Sequence, residues 1–213
     1  MLVLASSSPR RAMLMSEWGY KPEIIKVDVD ETLPPKSDPY AGVRMLAERK
    51  ALAGLQLWQE AGGKKGDVVI GADTMVVLDG QALGKPESRE DAEKMLESLS
   101  AKEHLVLTGL ALVRGAATAT TDAAGTAAIA SSAAWEIASE AAETKVRFRR
   151  LLPAEIKAYV DSGEPLDKAG AYGIQGEARK FVASYQGSLS NVIGLPMELL
   201  TEMLKAWGIE HGV

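Results

Sequence analysis

Apolar residues along this chain recur at two spacings that take turns, and the turns mark out its elements. Residues 2–5 form a short, wholly apolar run that predicts a buried strand, and the helical spacing that follows Ser6-Ser7-Ser8-Pro9 continues to Trp18. Pro9 suits the first turn of that helix, with a serine before it as cap. Residues 23–27 read as a second strand, and 28–39 as a polar loop bearing prolines. Over residues 38–58, Val43, Leu46, Ala47, Ala51, Leu52 and Leu55 fall on one helical face, predicting the longest amphipathic helix.

Residues 67–78 are apolar and β-branched, with Gly71, Asp73 and Thr74 set among them, and Asp79-Gly80 then predicts a hairpin turn. A helix is expected over 88–99 and two antiparallel strands over 104–114 and 135–148. Between these strands, residues 115–134 are half alanine and lack a strong period, which reads as an expanded hairpin loop. A helix over 153–162 precedes the glycine-rich run 167–176, and a strand (181–186) and a closing helix (195–207) complete the chain. Strands alternating with helices predict an α/β fold with a mixed sheet, in one domain spanning residues 1–213.

Composition narrows the chemistry. The chain has 213 residues and a net charge of -5, so no general positive field draws in extended nucleic acid, although a local cluster of Lys and Arg suffices for a small anion. With no cysteine there is no disulfide, thiol nucleophile or Cys-bound zinc, which fits a reducing cytoplasm. Two histidines, His104 and His211, suggest neither a histidine metal cluster nor a catalytic triad, so carboxylates must carry any metal. The start of the chain lacks the pattern of a secretory signal, and no stretch approaches the roughly 20 apolar residues of a membrane span.

Four groups of residues can carry chemistry. Ser6-Ser7-Ser8-Pro9-Arg10-Arg11 gathers backbone N–H groups, hydroxyls and guanidinium groups at a strand-to-helix junction, which suits a phosphate; alone it also fits an ordinary cap beside surface charges. Asp73 lies inside a β-rich apolar segment, where a carboxylate is expensive unless a cation or hydrogen bonds compensate it. Glu31, beside Asp28 and Asp30, adds negative charge that suits Mg²⁺, a hard cation. Lys50 and Lys85 gain weight only in company: a charge pair at 4 Å is worth about 1 kcal/mol in water and about 4 kcal/mol at an effective dielectric near 20. Last, the glycines at 170–176 admit close approach of a flat ligand, and Gln175 offers both a donor and an acceptor.

In order, Leu4-Ala5-Ser6-Ser7-Ser8-Pro9-Arg10-Arg11, Asp30-Glu31, Leu46-Ala47-Glu48-Arg49-Lys50-Ala51, Gly71-Ala72-Asp73-Thr74, Gly84-Lys85-Pro86, Asp167-Lys168-Ala169-Gly170-Ala171-Tyr172-Gly173-Ile174-Gln175-Gly176 and Asn191-Val192-Ile193-Gly194-Leu195-Pro196 resemble the Maf family of nucleotide pyrophosphatases over nearly the whole chain. The resemblance implies a two-lobed mixed β-sheet flanked by helices, similar to the inosine triphosphate pyrophosphatases, with a nucleotide in a central cleft. It further implies cleavage between the α and β phosphates with a divalent metal, Mg²⁺ or Mn²⁺. By similarity, Asp73 is the catalytic acidic residue, Arg10, Thr74 and Gln175 govern substrate choice, and Ser7, Arg11, Glu31, Lys50 and Lys85 are further cleft positions.

Thr74 and Tyr172 resemble the branch that acts on dTTP, UTP and modified pyrimidine triphosphates. The expected mechanism places a metal on Glu31 and Asp73, makes Asp73 the base toward water, and turns Arg11, Lys50 and Lys85 toward the phosphates. The resemblance also brings a homodimer as an expected assembly. Two alternatives stay open at this point: a 7-methyl-GTP pyrophosphatase, and a nucleotide-binding regulator of cell division with little turnover. The length of the 115–134 loop departs from the family pattern but touches no cleft motif.

Overall fold

A computed structural model describes residues 1–35, 37–115 and 135–210. Its strands are β1 (Leu2–Ala5), β2 (Glu23–Ile25), β3 (Val68–Leu78), β4 (Gln81–Leu83), β5 (Glu103–Gly115), β6 (Trp135–Phe148) and β7 (Val182–Gln186). The helices are α1 (Pro9–Glu17), α2 (Pro39–Glu60), α3 (Arg89–Leu99), α4 (Pro153–Asp161), α5 (Leu189–Ile193) and α6 (Met197–Ala206). The sheet runs β2-β1-β3-β5-β6-β7, with β4 paired to β3 off this path. Strand β1 is parallel to both β2 and β3, and the remaining pairings are antiparallel, so the mixed sheet expected from the sequence is present.

The long strands β3 and β5 organise everything else, because side chains alternate between the two faces of a strand. On one face, Val68, Ile70 and Ala72 join Leu110 and Leu112 in a core completed by Leu14 and Met15 of α1 and Leu200 and Leu204 of α6. Farther along the same face, Val76, Leu78 and Val106 belong to another core, with Leu96 and Leu99 of α3, Ile156 and Tyr159 of α4, and Phe181. The positions between these cores, Thr74 and Thr108, are polar and bonded to each other at 3.0 Å. These two cores on one face are the two lobes, and the threonines lie where they part.

On the opposite face lies α2, through Ala47, Ala51 and Leu55 against Val69, Ala111 and Val113, and Val43 against Val77 and Leu107. Two glycines set its distance from the sheet. A Cβ on Gly71 would lie 2.2 Å from the Ala47 carbonyl oxygen, and one on Gly109 would lie 2.1 Å from that of Val43. Only glycine lets the helix backbone come so close.

Most expected elements are present, with instructive shifts. The Asp79-Gly80 turn forms as expected, both residues at positive φ (50° and 80°), and it leads into β4, which the sequence pattern did not mark. The second strand stops at Ile25 rather than 27. The closing helix begins at Met197, because Gly194 at φ 122° and Pro196 separate it from the short α5, whose Ser188 cap accepts from the Asn191 N–H. Ser8 caps α1 by position only: its side chain makes no cap bond, and Ser6 Oγ instead accepts from the Ser8 N–H at 3.1 Å. The 115–134 loop expectation falls, beyond Gly115, outside the described residues. No helix among the described residues is long and apolar enough to cross a membrane.

Candidate active site

The site follows from a gap in strand pairing. Along the edge of β3 that faces away from β5, β1 pairs with residues 68–71 and β4 with residues 76–78. Residues 72–75 therefore have no strand beside them on that edge. Because consecutive side chains point to opposite faces, Asp73 emerges on the α2 face and Thr74 on the two-lobed face, yet the open edge lets both meet one space.

That space is a cleft of about 720 Å³, walled by the turn after β1, the turn after β4, the glycine-rich run and the end of α5. Its size suits a nucleotide-sized ligand. All nine side chains singled out in the sequence line it: Ser7, Arg10, Arg11, Glu31, Lys50, Asp73, Thr74, Lys85 and Gln175.

Charge alternates along one wall. Asp73 is 8% exposed, and its Oδ1 accepts from Lys50 Nζ at 2.5 Å. The same nitrogen is 2.7 Å from Glu31 Oε1, and Lys85 Nζ is 4.0 Å from Glu31 Oε2. The hydrogen bond from Lys50 holds the Glu31 carboxyl below its ordinary range, against the opposing effect of burial. Lys50 reaches this place because Gly71 and Gly109 seat α2 directly on the sheet. Lys85 is largely exposed, so its charge is screened until a ligand covers it.

The opposite wall is a chain of hydrogen bonds. Arg11 Nε donates to the Gly194 carbonyl at 2.7 Å, Nη1 to Ser6 Oγ at 3.3 Å and Nη2 to Thr74 Oγ1 at 3.2 Å. Thr108 Oγ1 donates to the Asn191 carbonyl at 3.0 Å. A hydroxyl has one hydrogen, so Thr74 must donate to Thr108, and toward a ligand it can only accept. Arg11, expected to face phosphates, spends three of its five N–H donors joining the first turn to β3 and α5, and burial lowers its pKa. It braces the cleft as well as lining it.

Three charged lining residues went unassigned in the sequence. Lys168 bonds to the Glu164 carbonyl and, at 2.7 Å, to Asp167, whose carboxyl is held low mainly by that lysine, with Arg10 adding to the effect. Asp167 and Lys168 stood within the quoted glycine-rich motif, but without a role. Glu164 carried no signal, since one glutamate among polar residues has no distinctive spacing.

Known proteins resemble the chain from end to end. It is 49% identical to a dTTP/UTP pyrophosphatase of Desulfitobacterium hafniense, over 100% of this chain and 87% of that protein. It is 42% identical to one of Pelotomaculum thermopropionicum over 97% and 96%, and 39% identical to one of Bdellovibrio bacteriovorus over 95% and 96%. The profile of the family described as Maf-like protein matches residues 1–207, which contain every cleft residue named above, and the chain belongs to that family.

Proposed function

We propose that this chain hydrolyses dTTP, UTP and modified pyrimidine triphosphates to the monophosphate and pyrophosphate. The observation that carries the reading is the placement of Asp73: a nearly buried carboxylate at the one open stretch of the β3 edge, ion-paired to Lys50 within the cleft. The names of the relatives, dTTP/UTP pyrophosphatase, support the substrate class.

A triphosphate repels an attacking water unless its charge is neutralised. In the proposed step the water oxygen bonds to the α phosphorus while a proton passes to Asp73. The bond from that phosphorus to the α–β bridging oxygen breaks, and pyrophosphate leaves with the electron pair. Lys50 has three donors, of which two are engaged by Asp73 and Glu31, leaving one for a phosphate oxygen. Lys85 and the remaining Arg11 donors add charge where pyrophosphate departs, and Ser7 and Arg10 line the cleft beside Arg11. Gln175 reads the edge of the base, and Thr74 offers an acceptor.

The donor set fits Mg²⁺ or Mn²⁺, because the Glu31 and Asp73 carboxylates already converge on one cationic nitrogen, Lys50 Nζ. Among the described residues no group of three or more His, Cys, Asp or Glu side chains could hold a metal, so phosphates and water would complete the shell, as Mg²⁺ accepts. When bound, the ion would supply further neutralisation of the phosphate charge.

The test is a panel of canonical and modified pyrimidine triphosphates, 7-methyl-GTP, GTP and ATP, assayed with Mg²⁺ and with products resolved. Pyrimidine nucleotides should give the monophosphate and pyrophosphate. Release of orthophosphate, a preference for 7-methyl-GTP, or no turnover at all would overturn the proposal.

A further inference from the structure

The glycine-rich run that carries Gln175 is held in a conformation it would not adopt alone. Gly170 has φ 65°, and Ala171, which has a side chain, has φ 58°. A non-glycine residue in this left-handed region is strained, because its Cβ crowds the following carbonyl oxygen, so its surroundings must impose it. Gly170 is pressed on β3, where a Cβ would lie 2.9 Å from the Val76 side chain, and its N–H donates to the Gly84 carbonyl at 3.0 Å.

Tyr172 follows directly and, although it also lines the cleft, buries its ring in the α3/α4 core. It is 5% exposed and meets Phe148 edge-on at 4.8 Å, and its Oη lies 2.8 Å from His104 Nε2. His104 is 2% exposed and packs edge-on against Phe148 at 5.0 Å. Its other ring nitrogen, Nδ1, is buried with no hydrogen-bond partner among the described residues. An imidazole with an unmet nitrogen is a poor filler for an apolar core, since a buried unsatisfied polar atom forfeits the hydrogen bond it had in water. What it offers that Leu or Phe cannot is the bond to Tyr172.

The far end of the run is fixed independently. Glu164 accepts from Tyr159 Oη at 3.1 Å and from the Glu177 N–H at 3.2 Å, and a Cβ on Gly176 would collide with the same carboxylate. Residues 173–175 are thus strung between two anchors, and the one on the Tyr172 side ends at His104.

We infer that His104, acting through the Tyr172 hydroxyl, is a positioning residue for base selection, because it fixes the end of the segment that presents Gln175. This rests on the reading of Gln175 as the residue that meets the base. His104 touches no substrate, and its effect belongs in discrimination and KM rather than in the chemical step.

The experiment compares kcat and KM for dTTP, UTP, CTP and GTP in the wild type, Gln175→Ala, Tyr172→Phe, His104→Leu, His104→Gln and the Tyr172→Phe/His104→Leu pair, with thermal midpoints alongside. Tyr172→Phe removes one oxygen and keeps the ring packed, so it tests the bond even if His104→Leu folds poorly. Expected for Tyr172→Phe and His104→Leu is a loss of base discrimination of about three- to tenfold, the size of one neutral hydrogen bond, with kcat on the best substrate within about twofold of wild type. The pair should be no worse than either single change, and His104→Gln, whose amide reaches the Nε2 position, should restore discrimination. Lower thermal midpoints with the base ranking intact, or additive losses in the pair, would overturn the inference while leaving the Gln175 reading in place. An unchanged ranking in Gln175→Ala would remove that reading and the inference with it.

Discussion

Asp73 and Lys50 stand opposite each other at 2.5 Å, both mostly shielded from water, so a change to either is felt by the other. Asp73→Asn removes the proposed proton acceptor and keeps the shape. Turnover should fall by about 10²- to 10⁴-fold, the range a general base supplies, while a non-hydrolysable triphosphate analogue binds within a few-fold of wild type by calorimetry. A near-normal rate would refute the assigned role. His104 makes a different prediction, in stability against pH. Burial lowers its pKa from 6.5 to about 4. Between those values the unfolded chain takes up the proton and the folded one does not, so acidification favours unfolding. The stability held at pH above 6.5 is lost as pH falls toward 4, by up to roughly 3 kcal/mol. Urea unfolding at pH 7 and pH 4.5 should show a smaller loss in His104→Gln, which cannot titrate; an equal loss would mean that the imidazole is not buried as described.

Among the elements, α2 bears most directly on the chemistry, since it carries Lys50 and its seat on the sheet depends on two glycines. Gly71→Ala should push the helix away, because the new methyl would meet backbone atoms of Ala47 and Ala51 rather than flexible side chains. The expected cost is about 1–3 kcal/mol or more, a drop of several degrees in thermal midpoint for a chain of this size. Activity should fall further than stability explains, because Lys50 moves with the helix; an unchanged midpoint with full activity would show that the close approach is unnecessary. The sequence disclosed α2 well, through residues 43, 46, 47, 51, 52 and 55, and disclosed β3 through its apolar run. It hid β4 and α5, three and five residues long, because so few positions cannot display a period. It also hid the use of Ser6 in place of Ser8, since both serines look alike until the chain turns.

For the whole molecule, nothing in the sequence says that β1 stops pairing at Gly71 and β4 starts at Val76, yet that interval makes the site. Motif order brought the nine assigned cleft residues to notice, and long-range strand pairing gathers them. Most cleft residues belong to loops and turns: the turn after β1, the turn after β4 and the glycine-rich run, which attach to different cores and meet only across the gap. A triphosphate that spans the gap must therefore contact elements of both lobes at once. Hydrogen exchange followed by mass spectrometry, with and without an α,β-methylene analogue of dTTP and Mg²⁺, should show protection together in residues 6–11, 83–85 and 168–176. At ligand near 100 times its dissociation constant the bound state gains about 2.7 kcal/mol, enough to slow exchange in these segments about a hundredfold where opening requires release of the ligand. Protection confined to one lobe would mean that the nucleotide lies against a single wall, and the proposed contact of the phosphates with both Arg11 and Lys85 would be wrong.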